Sequence, residues 1–220
     1  MYNKLPLNYL LIITTTLSFA CSRPIKEEKK NNANASANPV SLHVGDEKYV
    51  PIDTKESVVV WRGAMQIGAN AHTGYVYFSK GELKVEDNQL IGGTLEVDMN
   101  TIEDNKHGKN NGLINHLKNP DFFDVKNFPT ATITITAVEP LHTAMMQITG
   151  DLTIKGITRP VTFTAQVQIK DGVVNASGKL NIDRTEWGIR YKSGKFLENL
   201  ADQTISDTLE FDIKVVAKHK

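Results

Sequence analysis

The stretch MQITGDLTIKGITRPVTFTAQVQIK, residues Met146–Lys170, alternates apolar and polar side chains on both sides of a Lys155-Gly156 pair. Met146, Ile148, Gly150, Leu152 and Ile154 share one face, with Gln147, Thr149, Asp151 and Thr153 on the other. Val161, Phe163, Ala165, Val167 and Ile169 repeat the pattern on the way back. A period of two is the mark of a strand with one buried face. Lys155-Gly156 reads as a tight turn, and Pro160 suits the start of a strand or an edge. Asp171-Gly172, the strongest hairpin signal in the chain, turns it again.

The same pattern spreads in both directions. Downstream, Val174, Ala176, Gly178, Leu180 and Ile182 face inward, and the last strand, from Thr208 to Val216, alternates Leu209, Phe211, Ile213 and Val215 with polar residues. Upstream, Val58 to Ala64 carries Trp61. Thr73 to Val85 follows, with a bend expected at Gly81, and then Asp87-Asn88 as a turn. Gln89 to Met99 places Ile91, Gly93, Leu95, Val97 and Met99 on one face, and from Thr130 Ile133 and Ile135 alternate with threonines. This predicts an all-β domain of about eight antiparallel strands, closed as a barrel rather than stacked as a sandwich, since eight staves can enclose one small ligand. Small inward residues such as Gly150 and Gly178 leave room for it.

One segment interrupts the strands. Leu113, Ile114 and Leu117 lie at helical spacing, so residues 111 to 118 predict two helical turns that Pro120 stops. Leu117 to Pro129 then holds Phe122, Phe123 and Phe128 between two prolines. Proline excludes a long helix or central strand there, so the insertion is a candidate lid over one barrel end. Phe122 and Phe123 are consecutive, and an extended segment would point them opposite ways, one to the cavity and one to the shell.

The chain has 220 residues with 25 basic and 25 acidic side chains, so no net field draws it to nucleic acid. Lys4 followed by the uncharged Leu5 to Ala20 predicts an export signal over residues 1–20. The single cysteine, Cys21, follows Leu-Ser-Phe-Ala as at a bacterial lipoprotein cleavage site, and acylation there would anchor the protein to a membrane. Residues 21–46, rich in Lys, Glu, Asn and Ala, predict a flexible tether to a barrel domain spanning 47–220.

Catalytic patterns are absent. No HExxH, GxSxG, Walker or GxGxxG motif occurs, which argues against an enzyme, and no cofactor is implied. A zinc site from His72, His107 and His116 is conceivable only if the fold gathers them; loop histidines are the simpler expectation, and no metal is assigned. Trp187 is read as packing, and Tyr191 to Leu200 as a loop whose Phe196, Leu197 and Leu200 need covering.

Three linked motifs carry a resemblance. His116-Leu117 with Pro120-Asp121-Phe122-Phe123-Asp124 and Phe128-Pro129-Thr130-Ala131 resembles the signature of the YceI family. So do Gly150 to Val161, and Asp183-Arg184 with Trp187-Gly188-Ile189. The match runs from about Val58 to Ala217. It departs in the predicted lipid anchor and in Asn110 to His116, which lacks the Arg-Asp that often precedes the histidine. The resemblance implies a lipocalin-like barrel whose hydrophobic cavity binds a long isoprenoid or related lipid for storage or transport in the bacterial envelope. On that barrel the cavity candidates are Trp61, Phe78, Leu95, Val97 and Ile135, then Leu152, Phe163, Leu180 and Phe211. The lid candidates are Leu113, Leu117, Phe122, Phe123 and Phe128, with Arg159 as a head-group contact. The alternative is a non-enzymatic interaction module working through loops or barrel exterior, with a metal-assisted enzyme third. Oligomeric state is not legible.

Overall fold

The structure, a computed structural model, describes residues 48–67, 71–200 and 203–218. The expected signal, Cys21 and the tether lie outside the described residues. The described residues form nine strands: β1 (Lys48–Pro51), β2 (Val58–Ala64), β3 (Ala71–Glu86), β4 (Gln89–Asp104), β5 (Thr130–His142), β6 (Met145–Ile154), β7 (Ile157–Lys170), β8 (Val173–Asp183) and β9 (Thr208–Ala217). Helix α1 (Gly112–Lys118) follows β4, and a 3-10 turn (Arg184–Trp187) follows β8.

From β2 to β9 each strand pairs antiparallel with its neighbours in the chain, and β9 pairs with β2 to close an eight-stranded barrel. β1 extends the β2 stave. It takes over the β3 edge where β2 has ended, pairing Lys48 with Val85 and Pro51 with Glu82. Ile52 then bridges to Ala217 on β9. Asp53 interrupts this composite stave by accepting hydrogen bonds from the Lys55 and Glu56 backbone N–H groups.

Closure leaves two unlike ends. The turns at Asp87-Asn88, Thr143-Ala144 and Asp171-Gly172 form the turn end. Asp171 and Gly172 take φ of 51° and 76°, as do Lys155 and Gly156 with 52° and 72°, the two left-handed residues of a type I′ hairpin. The other, lid end gathers α1, the segment after it, the Lys155-Gly156 turn and the long β8–β9 connection. The turn-end half is more tightly packed: Leu83, Leu90, Ile148, Val167, Val174 and Val215 are all buried, and the void among them is only about 40 Å³.

Two sequence expectations shift here. Ile91 was expected inward with Leu95 and Val97, but a bulge pairs Lys84 with Gly92 and Val85 with Leu90, skipping Ile91. The extra residue reverses the alternation, so Leu90 is buried and Ile91 only half so. β4 also runs on to Asp104 rather than stopping near Met99, and Ile102 is buried in the added length.

Candidate functional site

Asn111 caps α1: its side chain accepts a hydrogen bond from the Ile114 N–H at 3.0 Å. Ile114 is fully buried, while Leu113 and Leu117 turn toward the barrel interior. After Asn119 the chain makes successive turns, with Phe122 N–H donating to Asn119 O and Phe123 N–H to Leu117 O. Lys155 Nζ reaches from its hairpin to Pro120 O at 2.6 Å, and Lys118 Nζ donates to Asn100 O at 2.8 Å. The lid is thus fastened to the rim by charge-assisted hydrogen bonds from two sides.

Below it lies a cavity of about 290 Å³. All the nominated side chains except Phe128 and Arg159 line it: Trp61, Phe78, Leu95, Val97 and Ile135 on the early staves, Leu152, Phe163, Leu180 and Phe211 on the later ones. Leu113, Leu117, Phe122 and Phe123 close it from the lid. Phe122 and Phe123 both face the cavity, against the expectation that they diverge. Their segment is a run of turns, with Asp124 at a φ of 49°, and not an extended strand, so the two-residue alternation does not apply.

Two nominated residues fall elsewhere. Phe128 lies across the Lys155-Gly156 turn, where a Cβ on Gly156 would come within 2.7 Å of its ring. It props the lid from outside. Arg159 pairs across the ladder with the cavity residue Leu152, but β7 has parted from β8 at that level, their pairing beginning at Thr164–Lys179. Arg159 is exposed and does not line the cavity.

The arginine at the cavity wall is Arg184, which the sequence reading quoted within a motif without giving it a role. Its side chain is fully buried. Nε donates to Ser206 O at 3.0 Å, Nη1 to Ile189 O at 2.7 Å and Nη2 to Ile205 O at 3.1 Å. Asp207 Oδ1 pairs with Nη2 at 3.1 Å, off line for a hydrogen bond, while Ser193 Oγ donates to Oδ2. Burial draws the guanidinium pKa below its usual value, with Asp207 opposing the shift. Arg184 therefore ties the β8–β9 connection to the barrel, and its donors are turned to backbone carbonyls rather than to a ligand head. Trp187 is buried beside it, donating to Leu152 O at 3.1 Å, in keeping with a packing role.

The histidines do not converge. His72 and His107 approach opposite oxygens of buried Asp104, at 3.8 and 2.9 Å, whereas His116 stacks edge-on against Phe122 and Tyr191, with ring centroids 5.0 and 4.6 Å away. Among the described residues no three metal-ligating side chains are grouped as a metal would need. His116 instead joins the lid to the β8–β9 connection.

Asp104 organises the tip of β4. Burial pushes its carboxyl up, but hydrogen bonds from the His107 and Lys106 N–H groups and the His107 ring outweigh this and leave its pKa below the ordinary 3.8. A carboxylate lowered on folding adds stability above its unfolded pKa, and that stability is lost as pH falls through the folded value. Wild-type unfolding free energy should therefore fall as pH drops below about 4. Asp104→Asn should flatten part of that slope in urea titrations run between pH 2.5 and 6; an unchanged slope would place the acid sensitivity elsewhere.

A YceI-like domain model matches residues 51–217, the whole barrel. The chain belongs to the YceI-like family. Among curated relatives it is 31% identical over 134 residues to a UPF0312 protein of Shewanella denitrificans, covering 58% of this chain and 64% of that one. It is 28% identical over 103 residues to UPF0312 protein VVA0736 of Vibrio vulnificus, covering 44% and 53%. The chain thus matches between half and two thirds of the length of these YceI-like relatives. Among solved structures it is similar to Burkholderia cenocepacia BcnA, with a TM-score of 0.60, 20% identity, and coverage of 76% of this chain and 99% of that one. A polyisoprenoid binding domain from Saccharophagus degradans, implicated in plant cell wall breakdown, gives a TM-score of 0.56 at 15% identity, covering 78% and 98%. At these identities the structural likeness establishes the barrel fold.

Proposed function

We propose that this YceI-like protein binds a long-chain isoprenoid or related lipid in its barrel cavity, without catalysing a reaction, for storage or transport in the bacterial envelope. The observation that carries the reading is the cavity itself: about 290 Å³ lined mostly by Leu, Ile, Val, Phe and Trp side chains, with His72, Thr132 and Arg184 as its polar residues. Apolar surface removed from water gains about 25 cal/mol per Å², so such a space favours a hydrocarbon chain over any polar solute. The polyisoprenoid-binding description of the Saccharophagus neighbour supports the same class of ligand. Export and acylation of Cys21 would place the barrel at a membrane, where such lipids reside.

Gentle purification from envelope membranes, extraction with organic solvent and mass spectrometry should recover a stoichiometric isoprenoid-type lipid. Recovery of none, together with failure to take up added geranylgeraniol, would sink the proposal. Exposed Phe196 and Leu197 favour a surface role as well.

A further inference from the structure

Five large apolar side chains of the described residues are exposed: Tyr49, Ile67, Leu141, Phe196 and Leu197. Tyr49 and Leu141 lie on separate strands toward the turn end. The other three belong to the two connections that border the cavity at the lid end. Ile67, 64% exposed, follows cavity-lining Met65, which bridges to cavity-lining Ile205. Gln66 N–H donates to Thr204 O, and Ile205 N–H to Lys192 O, so the two connections are laced together.

Phe196 and Leu197, each 47% exposed, are not frayed ends. Both of their N–H groups donate to Ser193 O, and Ser193 is fully buried with its hydroxyl on Asp207. The fold thus uses a buried polar anchor, itself joined to Arg184, to hold two apolar side chains outside the barrel. Cations flank them. Arg190 lies over the Phe196 ring at 4.4 Å and Lys192 over the neighbouring Tyr191 at 5.8 Å, while Lys195 is ion-paired with Asp183 and Glu198 is the acidic residue between positions 190 and 200.

We infer that the lid end docks onto an anionic lipid surface, with Ile67, Phe196 and Leu197 entering the interface and Arg190 and Lys192 meeting the head groups. This rests on the lipid-binding reading and says how ligand is exchanged. Apolar side chains flanked by cations are a composition that seats at a membrane interface. A protein partner is the weaker occupant, because the same two connections are continuous with the cavity wall, and docking there lets a hydrocarbon chain pass without crossing water. The cavity sits at the small end of the range for ligand sites, so a long chain would extend beyond it to this rim. Reach is sufficient: the 26 residues from 21 to 46 span about 90 Å when extended. The barrel, with strands of up to 16 residues, is roughly 40 Å high.

The test uses the full chain with Phe196→Trp, and with Leu141→Trp as its turn-end counterpart, read as difference emission against the parent. Vesicles are phosphatidylethanolamine and phosphatidylglycerol at about 3:1, with and without brominated lipid. Docking predicts a blue shift and more than half quenching for Phe196→Trp, little change for Leu141→Trp, and a fall in apparent affinity of about fivefold on adding Lys192→Gln. Equal quenching at both positions, or none at Phe196→Trp, overturns it. So does a shift produced by soluble envelope proteins and not by vesicles, which would mark a protein interface. Extractable lipid with an unquenched Phe196→Trp defeats docking alone. Quenching with no extractable lipid upholds docking and defeats the lipid-carrier reading.

Discussion

Arg184→Met should lower the urea unfolding free energy by roughly 4 kcal/mol at pH 7, more than any surface substitution in this chain. The methionine fills much of the same space, but the Ser206, Ile189 and Ile205 carbonyls lose their donor, and an unsatisfied buried acceptor costs about 1–3 kcal/mol. Arg184→Lys should not rescue it, because a single ammonium cannot reach carbonyls arranged around a planar fork. Asp207→Ala attacks the same cluster from the other side. It leaves a buried guanidinium with its carbonyls but without its carboxylate, and should cost about 3 kcal/mol. Both changes should loosen the β8–β9 connection first, seen as faster amide exchange at Ile189 and Ile205. A loss under 1 kcal/mol for Arg184→Met would mean that the carbonyls find water and that the cluster is not a structural pin.

Ala131→Phe should abolish most ligand binding while sparing the fold. Ala131 pairs with Val97 and lines the cavity, so a phenyl ring there grows into open space rather than into packed side chains. Overfilling a packed core costs about 1–3 kcal/mol; this substitution should cost less. Displacing on the order of 100 Å² of ligand surface would forfeit about 2.5 kcal/mol, a 50- to 100-fold loss in affinity for geranylgeraniol. The lid double variant Phe122→Ala, Phe123→Ala should act differently. Both rings face the cavity, and Phe122 also packs with His116 and Tyr191, so their loss should speed ligand release and lower stability together. If Ala131→Phe unfolds the protein and leaves affinity in the remaining folded fraction intact, the space is slack core and not a binding site.

The comparison of Leu152 with Arg159 shows where sequence reading reaches its limit. The ladder pairs the two directly, so they share one face of their hairpin, although the sequence reading counted only Leu152 as inward and took Arg159 as a head-group contact. What alternation does not carry is where one strand leaves its neighbour, and at Arg159 that departure exposes the side chain. Ile91 fails for a related reason: one bulged residue reverses the face, and nothing in Leu90-Ile91-Gly92 announces it. Arg184 sat in a quoted motif, yet its partners are backbone carbonyls 5 to 22 residues away, which have no side-chain signature. For the histidines, the meeting of His72 and His107 at Asp104 and the separation of His116 could be decided only by how the barrel closes.

The sequence by itself determined that this is an antiparallel β structure, which side chains face inward along most strands, where the tight hairpin turns fall, and that a two-turn helix precedes a proline-bounded segment. Those properties depend on local backbone preference and a two-residue period, which neighbours in the chain dictate. Only the tertiary structure decided that the interior keeps a large cavity at one end and only a small void at the other, that both lid phenylalanines face the large one, and that Phe196 and Leu197 stay outside. Each of these depends on which distant residues fill the same volume, and volume is shared across the barrel rather than along the chain.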